Sequence, residues 1–184
     1  MKSGCRSWLL AICILVTILI FADIAPAQKL DRRKVDLLLV LAVDVSESIN
    51  RREAWLQRFG HAEALTDPLV IAAINSGRHG RIAIAYLEWA GPGEQRQVMG
   101  WTLVEGRKSA EKLTETLMAA PVSVGYWTSI SAALETASRM IAAAPFTATR
   151  RVIDLSSDGR NNAGKPLGPA RKSVLDRGIT INGL

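Results

Sequence analysis

Residues 35–50 read VDLLLVLAVDVSESIN: seven consecutive aliphatic residues, Leu37 to Val43, run into Asp44 and then into Ser46 and Ser48. An apolar run this short, rich in Val and Leu and bounded by charge, predicts a strand covered on both faces, which belongs in the middle of a parallel sheet. In open sheets of that kind ligands bind beyond the carboxyl ends of the strands. The carboxylate and the two hydroxyls therefore stand where chemistry is expected.

Outward from this strand, placed at about residues 35–44, the chain alternates helical and extended patterns. Residues 50–65 set Trp55, Leu56, Phe59, Ala62 and Leu65 at helical spacing, and Thr66-Asp67-Pro68 ends that helix and starts a short one reaching Asn75. RIAIAYLEW (81–89) and RQVMGWTLV (96–104) flank the turn Gly91-Pro92-Gly93 and predict a hairpin, hence one antiparallel strand. Helices are expected over 109–119, 129–144 and 163–177, with strands at 151–156 and 178–182. This order implies an α/β fold with a doubly wound, mostly parallel sheet. The chain stops at Leu184 just after its last strand, so the expectation is a domain with a truncated C-terminus that lacks a final helix and strand.

The N-terminus has a different character. Lys2 and Arg6 precede an uncharged apolar segment, Trp8 to Ala22, and Ala25-Pro26-Ala27 follows, the order of a secretory signal peptide cleaved after residue 27. The expected organisation is a signal at 1–27, one domain at 28–184, a periplasmic or secreted location and no membrane span after signal removal. Cys5 and Cys13 both fall in the signal, so the mature domain relies on its core rather than on disulfides. With 48% hydrophobic residues in 184, that core is ample for one domain. The net charge of +6 is scattered in pairs such as Arg51-Arg52 and Arg171-Lys172, without interleaved aromatics. No nucleic-acid partner is expected.

Three strand-end loops gather polar residues: Asp44, Ser46 and Ser48 in the first, Thr128 just before a helix, and Ser156-Ser157-Asp158-Gly159 after a later strand. Two carboxylates and three hydroxyls make a hard, all-oxygen donor set, suited to Mg²⁺ or Mn²⁺ rather than to zinc. Capping of the first helix by Asp44 or Ser46 is the plainer reading, but it leaves Thr128 and Asp158 unexplained.

This pattern resembles the von Willebrand factor type A domain and its metal-ion-dependent adhesion site: a DxSxS motif (Asp44-Val45-Ser46-Glu47-Ser48), a later threonine (Thr128) and an aspartate after the fourth strand (Asp158). YLEWAG (86–91), WTLVEG (101–106), RRVIDLSSDG (150–159) and GITINGL (178–184) are similar to an exported bacterial family of this Rossmann-like fold with no known function. The resemblance implies that Ser46, Ser48 and Thr128 ligate a divalent ion directly while Asp44 and Asp158 act through water. It implies a binding domain rather than an enzyme, with a protein or other acidic ligand supplying a carboxylate to the metal. Two departures bear on ligand binding: Glu47 stands where glycine is frequent, and Val124-Gly125-Tyr126-Trp127 is bulky, with Trp127 a candidate anchor for a partner.

A competing motif, Gly159 to Lys165, fits the GxxxxGK part of a phosphate-binding loop, but Pro166 follows where a hydroxyl is needed. A metal- or nucleotide-dependent hydrolase is therefore the alternative from another class.

Overall fold

The computed structural model describes residues 32–183, so the expected signal peptide lies outside the described residues. Five strands, β1 (Arg33–Asp44), β2 (Ile82–Trp89), β3 (Gln95–Val104), β4 (Phe146–Ser156) and β5 (Thr180–Gly183), form one sheet in the order β3-β2-β1-β4-β5. Only the β2–β3 pair is antiparallel. The helices are α1 (Arg51–Thr66), α2 (Pro68–Asn75), α3 (Arg107–Ala119), α4 (Ile130–Ala142) and α5 (Leu167–Asp176).

The opening apolar run is the central strand, and its alternation explains the two layers. Leu38, Val40 and Ala42 pack with Leu134, Ala137 and Ile141 of α4 and Val174 of α5. Leu41 and Val43 face the other way, toward Leu65, Ile71 and Leu113 of α1, α2 and α3. A strand buried on both faces cannot alternate apolar with polar, which is why residues 37–43 read as a continuous run. Because β1 leads to a helix on one face and β4 to a helix on the other, the crevice between their carboxyl ends is the switch point of the sheet. Register brings Asp44 level with Trp89 of β2, and Val43 level with Ser156 of β4.

Three sequence expectations need correction. β4 begins at Phe146, not Arg151, because Phe146 to Ala148 pair with Arg33 to Val35 of β1, and Phe146 and Ala148 pack against the edge of the core. The helix expected from residue 163 starts at Leu167, since residues 163–166 serve a loop described below. On α1 the inward stripe is Ala54, Arg58, Ala62 and Leu65, while Trp55, Leu56 and Phe59 are 43%, 48% and 42% exposed. Two alanines let the helix approach the sheet, and Arg58 gains a buried partner in Glu88; the displaced Trp55 and Phe59 stack on each other with centroids 5.3 Å apart. Among the described residues no helix is long and apolar enough to cross a membrane.

Candidate metal centre

The loop after β1 organises itself. The Ser46 N–H donates to Asp44 Oδ1 at 2.8 Å, and the Ile49 N–H donates to the Ser46 carbonyl at 2.8 Å. Asn50 then caps α1: its Oδ1 accepts from the Arg52 and Glu53 amides at 2.9 and 3.0 Å, while Glu53 Oε2 accepts from the Asn50 N–H at 3.0 Å. This is a capping box, so the helix start requires neither Asp44 nor the serines. Asp44 is only 1% exposed and forms no ion pair with any described residue. Its second oxygen, Oδ2, accepts from Ser157 Oγ at 2.8 Å, so the strand-end loop of β4 orients it as well. A buried anion held only by neutral donors favours a cation nearby.

Asp158, Ser48 and Ser46 continue the chain of oxygens. Ser48 Oγ donates to Asp158 Oδ1 at 3.0 Å, and Ser46 Oγ lies 3.4 Å from Ser48 Oγ. Thr128, 6% exposed, completes a cleft of about 420 Å³ also lined by Glu47, Tyr126 and Asn162. The structure thus brings Ser46, Ser48, Thr128 and Asp158 to one cleft, with Asp44 bonded beneath it.

Thr128 arrives there by long-range contacts. The Gly125 N–H donates to the Val45 carbonyl at 2.8 Å and the Ser129 N–H to the Ala90 carbonyl at 2.9 Å. Gly125 has to be glycine: a Cβ there would lie 2.2 Å from Ala90 Cβ. Glu94 Oε2 accepts from the Gly91 N–H at 2.9 Å and from the Tyr126 N–H at 3.3 Å. Asn162 clasps Thr128 from the other side, its Oδ1 accepting the Thr128 N–H at 2.8 Å and its own N–H donating to the Thr128 carbonyl at 2.9 Å. Asn161 Oδ1 likewise accepts the Ser131 N–H at 3.0 Å. The loop carrying Asp158 therefore grips the loop carrying Thr128.

Under the latter loop lies a buried ion pair, Arg58 with Glu88, at 1% and 2% side-chain exposure. Arg58 also donates to the carbonyls of Leu117, Ala120 and Pro121, and Glu88 Oε2 accepts the Ser123 N–H at 3.2 Å. Burial, with the Glu88 charge next in importance, pushes the neighbouring Tyr86 hydroxyl far above its usual range.

The donors fit a small divalent ion. Bonds of about 2.1 Å in octahedral geometry set adjacent donor oxygens about 3.0 Å apart. The two hydroxyls expected as direct donors on the first loop, Ser46 Oγ and Ser48 Oγ, lie 3.4 Å apart, close to that size. Among the described residues no three His, Cys, Asp or Glu side chains converge as a metal-binding group, so an ion held here would have to draw on the hydroxyls. Glu47 lies in the cleft wall and is exposed. Tyr126, 71% exposed, lines the cleft as well; Trp127, 59% exposed, does not, and its Cβ packs near Gly91. In the competing motif Lys165 Nζ is engaged by Glu135 at 2.9 Å, while Asn161 and Asn162 turn toward Ser131 and Thr128.

Sequence reasoning assigned no role to Ser157, Asn162, Glu94, Tyr126 or the Arg58–Glu88 pair. Loop asparagines commonly bond to backbone, which marks Asn161 and Asn162 as candidates for such work, but nothing local names Thr128 as the partner.

Among solved structures, the chain is similar to proximal thread matrix protein 1 from the mussel byssus with a zinc-occupied MIDAS motif, at TM-score 0.61 and 16% identity over 82% of this chain and 37% of that one. It is also similar to the pilus adhesin SpaC from Lactobacillus rhamnosus GG, at TM-score 0.57 and 16% identity over 83% of this chain and 24% of that one. A von Willebrand factor type A protein from Catenulispora acidiphila matches at TM-score 0.56 and 17% identity, over 82% and 33%. The chain thus spans about a third or less of the length of these proteins, and the likeness establishes the von Willebrand factor type A fold. No curated protein sequence matches the chain. A family profile matches residues 34–184, and the chain belongs to that family, described as protein of unknown function (DUF1194).

Proposed function

We propose that this chain is an exported, divalent-metal-dependent binding domain that holds a partner through a metal-ion-dependent adhesion site, with Mg²⁺ or Mn²⁺ as the ion. The observation that carries the reading is a buried Asp44, without a Lys, Arg or His ion-pair partner among the described residues, beneath the oxygen string Ser46, Ser48 and Asp158, with Thr128 in the same cleft. Ser46, Ser48 and Thr128 present neutral hydroxyl oxygens to the ion, and Asp44 and Asp158 orient its water. When bound, the ion supplies an electrophilic position for a carboxylate oxygen of a protein or other acidic ligand. Glu47 adds negative charge at the rim and discriminates among acidic ligands by repulsion. Tyr126 and Trp127 offer aromatic surface to a partner from a backbone pinned by Glu94 and Val45.

The similar proteins include a pilus adhesin and a byssus matrix protein, which supports protein binding outside the cell over turnover. The polar partners of the site serines are each other and Asp158, and no histidine stands beside them as a base: His61 packs on Tyr86 and His79 lies at the opposite end of the sheet. An apolar leader at residues 8–22 fits a periplasmic or secreted location.

Calorimetric titration with Mn²⁺ tests the site. The parent should bind one ion, Asp44→Ala should lose binding with only a small loss of stability from the two hydrogen bonds removed, and Lys165→Ala should bind as the parent does. Undiminished binding by Asp44→Ala would overturn the assignment. Chelator-sensitive retention of a periplasmic protein on the immobilised domain, absent with Asp44→Ala, would identify the partner.

A further inference from the structure

At the end of the sheet away from the candidate metal centre, a pocket of about 480 Å³ opens between α4, the first half of β4 and the turn from α5 into β5. Register explains why it exists. β5 begins at Thr180, opposite Val152, so among the described residues no strand lies beside the outer edge of Phe146 to Arg151. The floor of the pocket is core: Leu38, Ile141 and Ile179 are buried and Phe146 partly so.

The walls are different in kind. Three arginines, Arg32, Arg151 and Arg177, line the pocket, and among the described residues no carboxylate does. None of the three is ion-paired with a described residue. Arg177 Nη1 donates to Ser138 Oγ at 3.2 Å, a hydroxyl that is 2% exposed. The Arg151 Nε is shut away from water without an acceptor, and its guanidinium runs close under Gly178, where an added Cβ would meet Nη2 at 3.1 Å. With its Nε lacking an acceptor among the described residues, the Arg151 guanidinium is under-satisfied, and an anion meeting the part of Arg151 that lines the pocket would offset that cost. The planar fork of arginine matches a carboxylate, and an apolar concavity with a few convergent polar groups is the usual form of a small-molecule site.

We propose that this pocket binds a carboxylate carrying a hydrocarbon body, with Arg151 and Arg177 holding the carboxylate and Leu38, Ile141 and Phe146 covering the hydrocarbon. The site is separate from the metal centre: Leu38 precedes Asp44 by six residues of extended chain, about 20 Å. The proposal therefore stands whether or not the domain takes a metal.

Calorimetry on the full chain decides it, with octanoate as probe and octanol and acetate as controls. Octanoate should bind saturably at one site, with octanol and acetate at least tenfold weaker. Arg177→Gln should weaken octanoate severalfold and Arg151→Met at least tenfold, each with the parent's melting curve, and Asp44→Ala and chelator should leave it unchanged. Should Arg151→Met fail to fold, Arg177→Gln and weakening of octanoate binding by added salt carry the test. Octanol binding as well as octanoate would reduce the pocket to an apolar hollow. Acetate binding equally well, absence of saturation, or indifference to both arginine substitutions would each overturn the proposal.

Discussion

The two loops that meet at the candidate metal centre are built in opposite ways. Residues 44–50 are held mainly by bonds within their own span and the first turn of α1: Ser46 to Asp44, Ile49 to Ser46, and the reciprocal pair of Asn50 and Glu53. Residues 120–129 have almost nothing local. Their amides and carbonyls bond to Val45, Glu88, Glu94, Ala90, Asn162 and Arg58, all at least 32 residues away in sequence. The first loop keeps its shape wherever β1 ends, whereas the second has its shape only inside the finished fold. Substitutions should therefore separate, some acting on stability alone and some on the reach of Thr128.

Removing the foundation of the second loop should have the largest effect. Arg58→Ala leaves Glu88 buried and unpaired, and such losses run to about 3–5 kcal/mol, enough to lower the melting temperature by roughly 10 °C in a domain of this size. Mn²⁺ affinity should fall with it, because Ala120, Pro121 and Ser123 lose their anchor. The double change Arg58→Met with Glu88→Leu should recover much of the stability, since a buried ion pair replaced by well-packed apolar groups is frequently neutral. If Arg58→Ala melts as the parent does, the second loop does not depend on the pair.

Asn162→Ala sharpens the contrast next. It removes the side-chain acceptor of the Thr128 amide, and loss of groups that orient metal ligands typically costs 10–100-fold in metal affinity. The stability loss should be only about 1 kcal/mol. Asn50→Ala is the counterpart on the first loop: a lost cap costs about 1 kcal/mol, seen in denaturant unfolding, with the Mn²⁺ midpoint unmoved. Equal effects of the two substitutions on metal affinity would abolish the distinction between the loops.

The smallest effect concerns pH. Burial lowers the pKa of His61 below its ordinary value, only partly countered by Asp154. The unfolded chain then binds the proton more readily, so this stabilisation is present above the ordinary histidine pKa, about 6.5, and is lost as pH falls below it. The melting temperature between pH 7 and 5 should decline less in His61→Gln than in the parent.

How much of this was legible beforehand follows the same division. The run Leu37 to Val43 marked a strand buried on both faces because parallel strands in the centre of a sheet leave no side exposed. Asp44, Ser46 and Ser48 were legible as a candidate site because strand ends at a switch point are where ligands reach a sheet. Thr128 and Asp158 stood out as polar residues in two further strand-end loops, but only the resemblance joined them to Asp44, since no local rule links positions so far apart in sequence. On α1 the apolar spacing pointed to Trp55, Leu56 and Phe59 as the inner face, and packing chose Ala54 and Arg58 instead. A hydrophobicity pattern ranks side chains by transfer from water, but the buried face is also chosen by how closely the helix can approach and whether a charge finds its partner.

By itself, then, the sequence determined what is encoded within a few residues: the order and type of the elements, the start of α2 at Asp67-Pro68, the hairpin turn and the DxSxS loop. Only the tertiary structure decided that Asn162 holds Thr128, that Ser157 orients Asp44, that Tyr126 rather than Trp127 lines the cleft, and that three arginines converge on an apolar floor. The physical reason is that local structure depends on backbone geometry and near-neighbour hydrogen bonds, whereas these contacts depend on which strand ends become neighbours, and that is settled by burying both faces of β1 at once.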